Sequence, residues 1–222
     1  MRRNVEVKAR VRALAEARGA AERLLRGGPG ELCPGELCPG ELCPGEGHAQ
    51  GTAQGQLLVQ ADTFFRVPRG RLKLRRTQVK GEDGRGELIF YERPDTAGPK
   101  LSSFTITPTA DPDGLEAVLA QALGVLGVVR KERLLYLVGQ TRLHLDRVEG
   151  LGDFLELEVV LRQEQSVQDG EHVARELLRA LGVGEDDLIS GAYLDLLLAK
   201  GQPGTGAEPP HCLPPAGQGQ QS

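Results

Sequence analysis

From Val5 to Arg12 the chain alternates between apolar and charged residues, Val-Glu-Val-Lys-Ala-Arg-Val-Arg. That period of two predicts a strand with two chemically opposite faces. Ala13 to Arg26 then changes period: Leu14, Ala17, Ala21, Leu24 and Leu25 recur at helical spacing, and Gly27-Gly28 stops the run. Strand patterns return at Gln56–Phe65, Arg71–Thr77, Glu87–Glu92, Ser102–Thr107, Val128–Val138, Thr141–Val148 and Phe154–Arg162. Helical stripes fit Asp113–Leu126, through Leu115, Val118, Leu119, Ala122 and Leu126, and Gly170–Leu181, through Val173, Leu177, Leu178 and Leu181. A last short helix fits Ala192–Lys200, with Ser190 placed to cap it. Eight strands with few helices predict an α+β fold, mostly antiparallel, in which the strands close a barrel with a usable interior and the helices cover its outer faces.

Two stretches fit neither period. Glu-Leu-Cys-Pro-Gly repeats three times in tandem between Pro29 and Glu46 and carries Cys33, Cys38 and Cys43 at five-residue spacing. Zinc sites space their cysteines two to four residues apart and add a second pair, so with only His48 following, this spacing argues against a metal knot. Repeated Pro-Gly is incompatible with a helix or central strand. The segment at about 27–55 therefore reads as a disordered low-complexity insertion in a loop, where added length costs little. The Gly/Pro/Gln-rich tail 201–222 reads the same way, leaving residues 1–200 as one interrupted domain.

Composition narrows the function classes. Hydrophobic content of 39% with 4% aromatics and no Trp requires a core built mostly from Leu and Val. A net charge of −4 argues against broad nucleic-acid binding, which needs a basic surface. The start Met1-Arg2-Arg3-Asn4-Val5-Glu6 has no apolar run behind it and does not read as a secretory signal, and no apolar stretch approaches the roughly 20 residues that span a bilayer. Cysteines without such a signal read as reduced thiols, so the expectation is a cytoplasmic protein without membrane association, a monomer or homodimer.

The polar faces of the strands carry the candidate chemistry. Glu6, Lys8, Arg10 and Arg12 share one face of the first strand. Arg71, Lys73 and Arg75 share a face of the third, and Glu156 and Glu158 a face of the last. Lys131 and Arg133 lie two apart, as do His144 and Asp146. A solvated antiparallel face mixes neutral polar groups with both charges. These strands mostly carry one sign each, so acidic and basic strands complement each other across a cavity. Arg grips phosphate oxygens bidentately, Lys adds a point charge, and Mg²⁺ or Mn²⁺ is held by one or two carboxylates together with phosphate. A triphosphate with one or two such ions fits that combination. His144 reads as a structural residue, and Tyr91 and Tyr136 as packing residues with a wet hydroxyl. Neither a Gly-x-Ser-x-Gly elbow nor a Walker-type loop is present.

The same residues resemble a known family. Asn4-Val5-Glu6-Val7-Lys8 is similar to the Glu-x-Glu-x-Lys signature of the CYTH, or triphosphate tunnel metalloenzyme, superfamily, which includes class IV adenylyl cyclases and thiamine triphosphatases. The resemblance runs on through Asp62-Thr63-Phe64-Phe65, Arg71-Leu72-Lys73-Leu74-Arg75, Glu87 to Pro94, Lys131-x-Arg133, His144-Leu145-Asp146-x-Val148 and Leu151-Gly152-x-Phe154-x-Glu156-x-Glu158. It spans roughly residues 4 to 199 without the insertion and is nearest the cyclase-like branch. It implies an eight-stranded tunnel with Glu6, Glu156 and Glu158 as ligands of Mg²⁺ or Mn²⁺. It implies phosphate contacts from Lys8, Arg71, Lys73, Arg75, Arg93, Lys131 and Arg133, with Lys73 and Asp146 at the chemical step, Asp146 as a supporting carboxylate. Asn4 departs from the signature: it offers a neutral oxygen where the family has a carboxylate. The implied function is metal-dependent cleavage of a triphosphate, as cyclase or triphosphatase. The alternative is a binding protein with weakened chemistry.

Overall fold

A computed structural model describes residues 2–26, 55–79 and 84–201. The Cys-Pro-Gly repeats and the C-terminal tail lie outside these residues. The elements in chain order are β1 (Arg2–Arg10), α1 (Leu14–Arg26), β2 (Gln56–Phe65), β3 (Arg71–Val79), β4 (Arg85–Glu92), β5 (Lys100–Thr109), α2 (Pro112–Leu123), β6 (Val125–Val138), β7 (Thr141–Val148), β8 (Gly152–Val160), α3 (Val167–Ala180), the two-residue β9 (Leu188–Ile189) and α4 (Tyr193–Gly201).

The strands pair in the order β5-β4-β3-β2-β6-β7-β8-β1, and β1 pairs with β5 to close the sheet into an eight-stranded barrel. Every pairing is antiparallel. β1 lies against β5 only through residues 2–6; beyond that point β9 takes the free edge opposite Lys8 and Ala9. Closure removes most of the sheet edge that could pair with another chain among the described residues.

The strict alternation of β1 has an unusual consequence: both of its faces are buried. Val5, Val7 and Ala9 are fully buried on the outer face, while Asn4, Glu6 and Lys8 are buried on the inner one. The outer face joins Leu143, Leu145, Leu155, Leu157 and Val159 beneath α1 and α3, which supply Ala21, Ala174, Leu177 and Leu178. The main apolar core therefore lies outside the barrel, between sheet and helices. A second cluster of Phe64, Val129, Val148, Phe154, Tyr193 and Leu194 fills one end of the barrel under α4.

Local signals fix the helix ends, and some differ from the periodicity. α2 begins one residue earlier than its apolar stripe, at Pro112, because Asp111 accepts the Gly114 amide at 2.8 Å and Pro suits a first helical turn. It stops at Leu123, where Gly124 takes φ +76°, so Val125 and Leu126 belong to β6. α3 gains a turn through a capping box in which Ser166 and Asp169 each bond the other's amide. Ser190 falls short of α4, whose entry is fixed by Asp195 accepting the Ala192 amide at 2.7 Å.

α3 approaches β1 closely at Gly170, where an added Cβ would lie 2.7 Å from both Val5 and Leu161 side-chain carbons. Gly→Ala inside a helix ordinarily stabilises by about 1 kcal/mol. Here overpacking against a rigid strand opposes that gain with about 1–3 kcal/mol. Gly170→Ala is therefore expected to lower the urea midpoint, and a raised midpoint would show that helix and sheet can separate freely.

Candidate functional site

The barrel encloses a cavity of about 770 Å³, counting the space at its open mouths. Seven cationic side chains line it, Lys8, Lys73, Arg75, Arg93, Lys131, Arg133 and Arg142, against four carboxylates, Glu6, Asp62, Glu156 and Glu158. A chain of net charge −4 thus keeps a positive interior. The period of two explains the lining: β1, β2, β3, β6, β7 and β8 each turn at least one charged side chain inward, beside Asn4, Phe64 and Val129, while β4 and β5 add Ile89, Tyr91, Ser102, Phe104 and Ile106.

Two buried carboxylates hold the cations in place. Asp62, on β2, receives Arg75 through both oxygens at 2.7 and 2.8 Å, and Lys73 and Lys131 each at 3.0 Å. Burial alone would raise its pKa, but Arg75, Lys131 and Lys73 hold it well below the usual carboxylate range. Asp146, on β7, accepts Arg133 bidentately at 2.6 and 2.5 Å and the Tyr193 hydroxyl at 2.9 Å. It too is held below its ordinary pKa, against its burial, by Arg133.

Glu156 binds Lys8 and, at 2.6 Å, Arg133, so it stays ionised well below its usual range despite burial. Lys8 also donates to Glu6 at 3.2 Å; the two carboxylates overcome its burial and raise its pKa. Glu6 faces Glu158 in the β1–β8 register, as Lys8 faces Glu156. The tight acidic cluster, however, is Glu156, Glu158 and His144, whose ligand atoms lie within 4.8 Å of one another. His144 is buried, and burial and the nearby Arg133 lower its pKa. Glu6 instead contacts Lys8 and the Arg93 Nε at 2.9 Å.

Aromatic rings complete the floor. Tyr193 packs on Phe154 with centroids 4.9 Å apart, and the Lys8 and Lys131 ammonium groups lie 5.6 and 5.8 Å from its ring centre. Lys73 sits 5.5 Å from the Tyr91 ring and 5.6 Å from that of Phe64. Burial pushes the Tyr91 hydroxyl up to about 12.

Of the residues marked out by sequence, Glu6, Lys8, Lys73, Arg75, Arg93, Lys131, Arg133, Glu156 and Glu158 line one cavity, with Asp146 immediately behind Arg133. Arg71 lies elsewhere: it is tied at 2.7 and 2.8 Å to Asp95 and Asp195, outside the lining. Arg93 is inside, but its guanidinium is engaged by Glu6 and the Gly191 carbonyl. Tyr91 joins the lining, whereas Tyr136 is core and donates to Glu22 at 3.3 Å. Sequence reasoning gave no role to Asp62, Arg142, Tyr193 or Lys100. Asp62 carried a signal, a lone acid in the otherwise uncharged run Leu57–Phe65. Lys100, buried opposite Glu6, has its pKa pushed down to about 8 by burial and by Arg93.

A CYTH domain family model matches residues 47–193, which leaves β1 with Glu6 and Lys8 outside the match. Among solved structures, the PH1012 protein of Pyrococcus horikoshii OT3 superposes with a TM-score of 0.65 at 22% identity, covering 87% of this chain and 98% of that one. A Vibrio parahaemolyticus protein described as a candidate adenylate cyclase gives 0.61 at 16%, covering 88% and 97%. HpAC1 of Hippeastrum, described as a candidate adenylyl cyclase with a dominant triphosphatase activity, gives 0.51 at 15%, covering 91% and 97%. At such identities the likeness is one of fold. No curated protein matches the sequence.

The electrostatics give a test that needs no ligand. Asp62→Asn leaves three buried cations against a neutral amide and is expected to cost about 3–5 kcal/mol, read from denaturant unfolding. Lys131 behaves oppositely. Burial, with Arg75 and Arg133 adding to it against Asp62, pushes its pKa down to about 7. Between pH 7 and its unfolded value near 10.5 the unfolded chain binds the extra proton, so stability rises with pH there, by up to about 1.4 kcal/mol per unit. Lys131→Met is expected to remove that rise and to be at least as stable as wild type at pH 7. An unchanged slope would refute the assignment.

Proposed function

The chain belongs to the CYTH domain family, and on that premise we propose that its tunnel binds a triphosphate together with Mg²⁺ or Mn²⁺ and cleaves a phosphoanhydride bond. The observation that carries this reading is the excess of cations over carboxylates, seven to four, among the side chains that line one cavity. Burying like charges is costly, and a polyanion is the ligand that relieves it.

The residues divide the work. Lys8, Lys73, Arg75, Lys131 and Arg133 neutralise and orient phosphate oxygens, the arginines as forks and the lysines as point charges. Asp62 and Asp146 act behind them, holding Arg75 and Arg133 by both oxygens so that the cations are aimed before the substrate arrives. Glu156 and Glu158 fit a divalent ion: two carboxylates from one strand face, with a buried ring nitrogen beside them. A bound ion supplies Lewis-acid polarisation of a phosphoryl oxygen. Water as the nucleophile makes the protein a triphosphatase; a ribose 3′-hydroxyl makes it a cyclase releasing pyrophosphate. The buried walls exclude bulk water from the phosphates, which strengthens each of these contacts.

A second reading is a binding protein with little turnover, favoured by Asn4. Its Oδ1 is buried, faces the tunnel and has no hydrogen-bond partner among the described residues, so β1 offers the ion a neutral oxygen in place of a charged one.

Release of phosphate, pyrophosphate and cyclic AMP from tripolyphosphate, thiamine triphosphate and ATP, with each metal, separates these outcomes. Glu158→Gln is expected to lower turnover at least 100-fold, roughly the scale of losing one electrostatic catalytic group, with the fold retained; unchanged turnover sinks the site. If the second reading holds, wild type binds tripolyphosphate without turnover and Asn4→Glu raises metal-dependent activity. No gain from Asn4→Glu counts against it.

A further inference from the structure

His144 is the one member of the acidic cluster that the proposed chemistry leaves without a task. It stands on the tunnel face of β7, directly across from Glu156 of β8. Its side chain is 4% exposed, and its Nδ1 has no hydrogen-bond partner among the described residues. Nearly every other buried charged or polar group around it is paired, and a buried polar atom left alone calls for an explanation.

The spacing supplies one. Nδ1 lies 3.5 Å from Glu156 Oε2 and 4.0 Å from Glu158 Oε1, too far for a hydrogen bond of good geometry. Two donors sharing one ion through bonds of about 2.1 Å can be up to about 4.2 Å apart, and both distances fall below that limit. Glu158 is also the freer carboxylate: among the described residues it meets only Arg142, at 3.5 Å, besides His144, whereas Glu156 is engaged by Lys8 and Arg133.

Imidazole nitrogen is a borderline donor. It suits first-row transition ions, while Mg²⁺ prefers oxygen and keeps much of its water. Resting on the reading of the tunnel as a metal site, we infer that His144 ligates the ion through Nδ1 beside Glu156 and Glu158, so that the site selects Mn²⁺ over Mg²⁺. The histidine is then the specificity-determining ligand, and the two carboxylates supply the charge.

The test uses the full chain and Mn²⁺ alone, without turnover. Pulsed electron paramagnetic resonance of bound Mn²⁺ is expected to show the nitrogen coupling of a coordinated imidazole, and histidine labelled with ¹⁵N shifts that coupling without any substitution. In His144→Gln the coupling disappears and Mn²⁺ affinity falls about tenfold or more, on the scale of losses around metal ligands; Mg²⁺ affinity, read by competition, falls far less. Absence of nitrogen coupling in wild type, or its persistence in His144→Gln, overturns the inference while sparing the metal site, provided Glu158→Gln still abolishes Mn²⁺ binding. If Mn²⁺ does not bind, or Glu158→Gln leaves it unchanged, the metal reading itself fails and takes this inference with it.

Discussion

The pairing of buried cations with buried carboxylates is the interaction on which the rest of this structure depends. Asp62 and Asp146 each collect two or more cationic or donor groups from neighbouring elements: Arg75, Lys73 and Lys131 for the first, Arg133 and Tyr193 for the second. Without them Lys73, Arg75 and Lys131 would face one another in a poorly solvated space, and Glu156 would be the remaining partner of Arg133. With them, the guanidinium planes are fixed from behind and their outer edges point into the cavity. Stability and preorganisation thus come from the same contacts, and the helices are relegated to the outside, where α1 and α3 bury the apolar face of β1, β7 and β8.

How much of this could be read from residues alone depends on the length scale. The barrel was legible, because period-two alternation marks β1, β3, β7 and β8 and eight strands favour closure. So was the grouping of Glu156 with Glu158 and of Lys131 with Arg133, since residues two apart on a strand must share a face. Pairings between strands were not legible. Glu6 and Glu158 are neighbours only because of the β1–β8 register, and Asp62 meets Arg75 only through β2–β3. Arg71 shows the limit most clearly. It shares a face with Lys73 and Arg75, yet at the strand's end Asp95 and Asp195 of α4 capture it. Periodicity gives the face a side chain leaves by, and not what meets it there.

Helix boundaries failed for a related reason. The apolar stripe of α2 runs on to Leu126, but Gly124 at φ +76° breaks the helix and the same apolar residues continue as β6. Helix and strand compete for a run such as Ala-Leu-Gly-Val-Leu-Gly-Val-Val, and the glycine decides.

The balance of charge also bears on how the tunnel would receive an anion. Lys131 has Arg75, Arg133 and Lys73 around it, and Asp62 is its one ion-pair partner among the described residues. Its ammonium is therefore the least comfortable charge in the wall, while Lys8, bracketed by Glu6 and Glu156, is among the most secure. On the proposed reading, an anion entering the cavity would give Lys131 a counter-charge beyond the Asp62 it shares with Lys73 and Arg75, and binding would then favour its protonated form. Lys8 already has its carboxylates, and an incoming anion must compete with them. On the proposed reading, a phosphate chain would meet the β2–β3–β6 wall first, where Arg75, Lys73 and Lys131 share the single carboxylate of Asp62. The carboxylates of β1 and β8 line the opposite side, and on the proposed reading Glu156 and Glu158 there would hold the divalent ion.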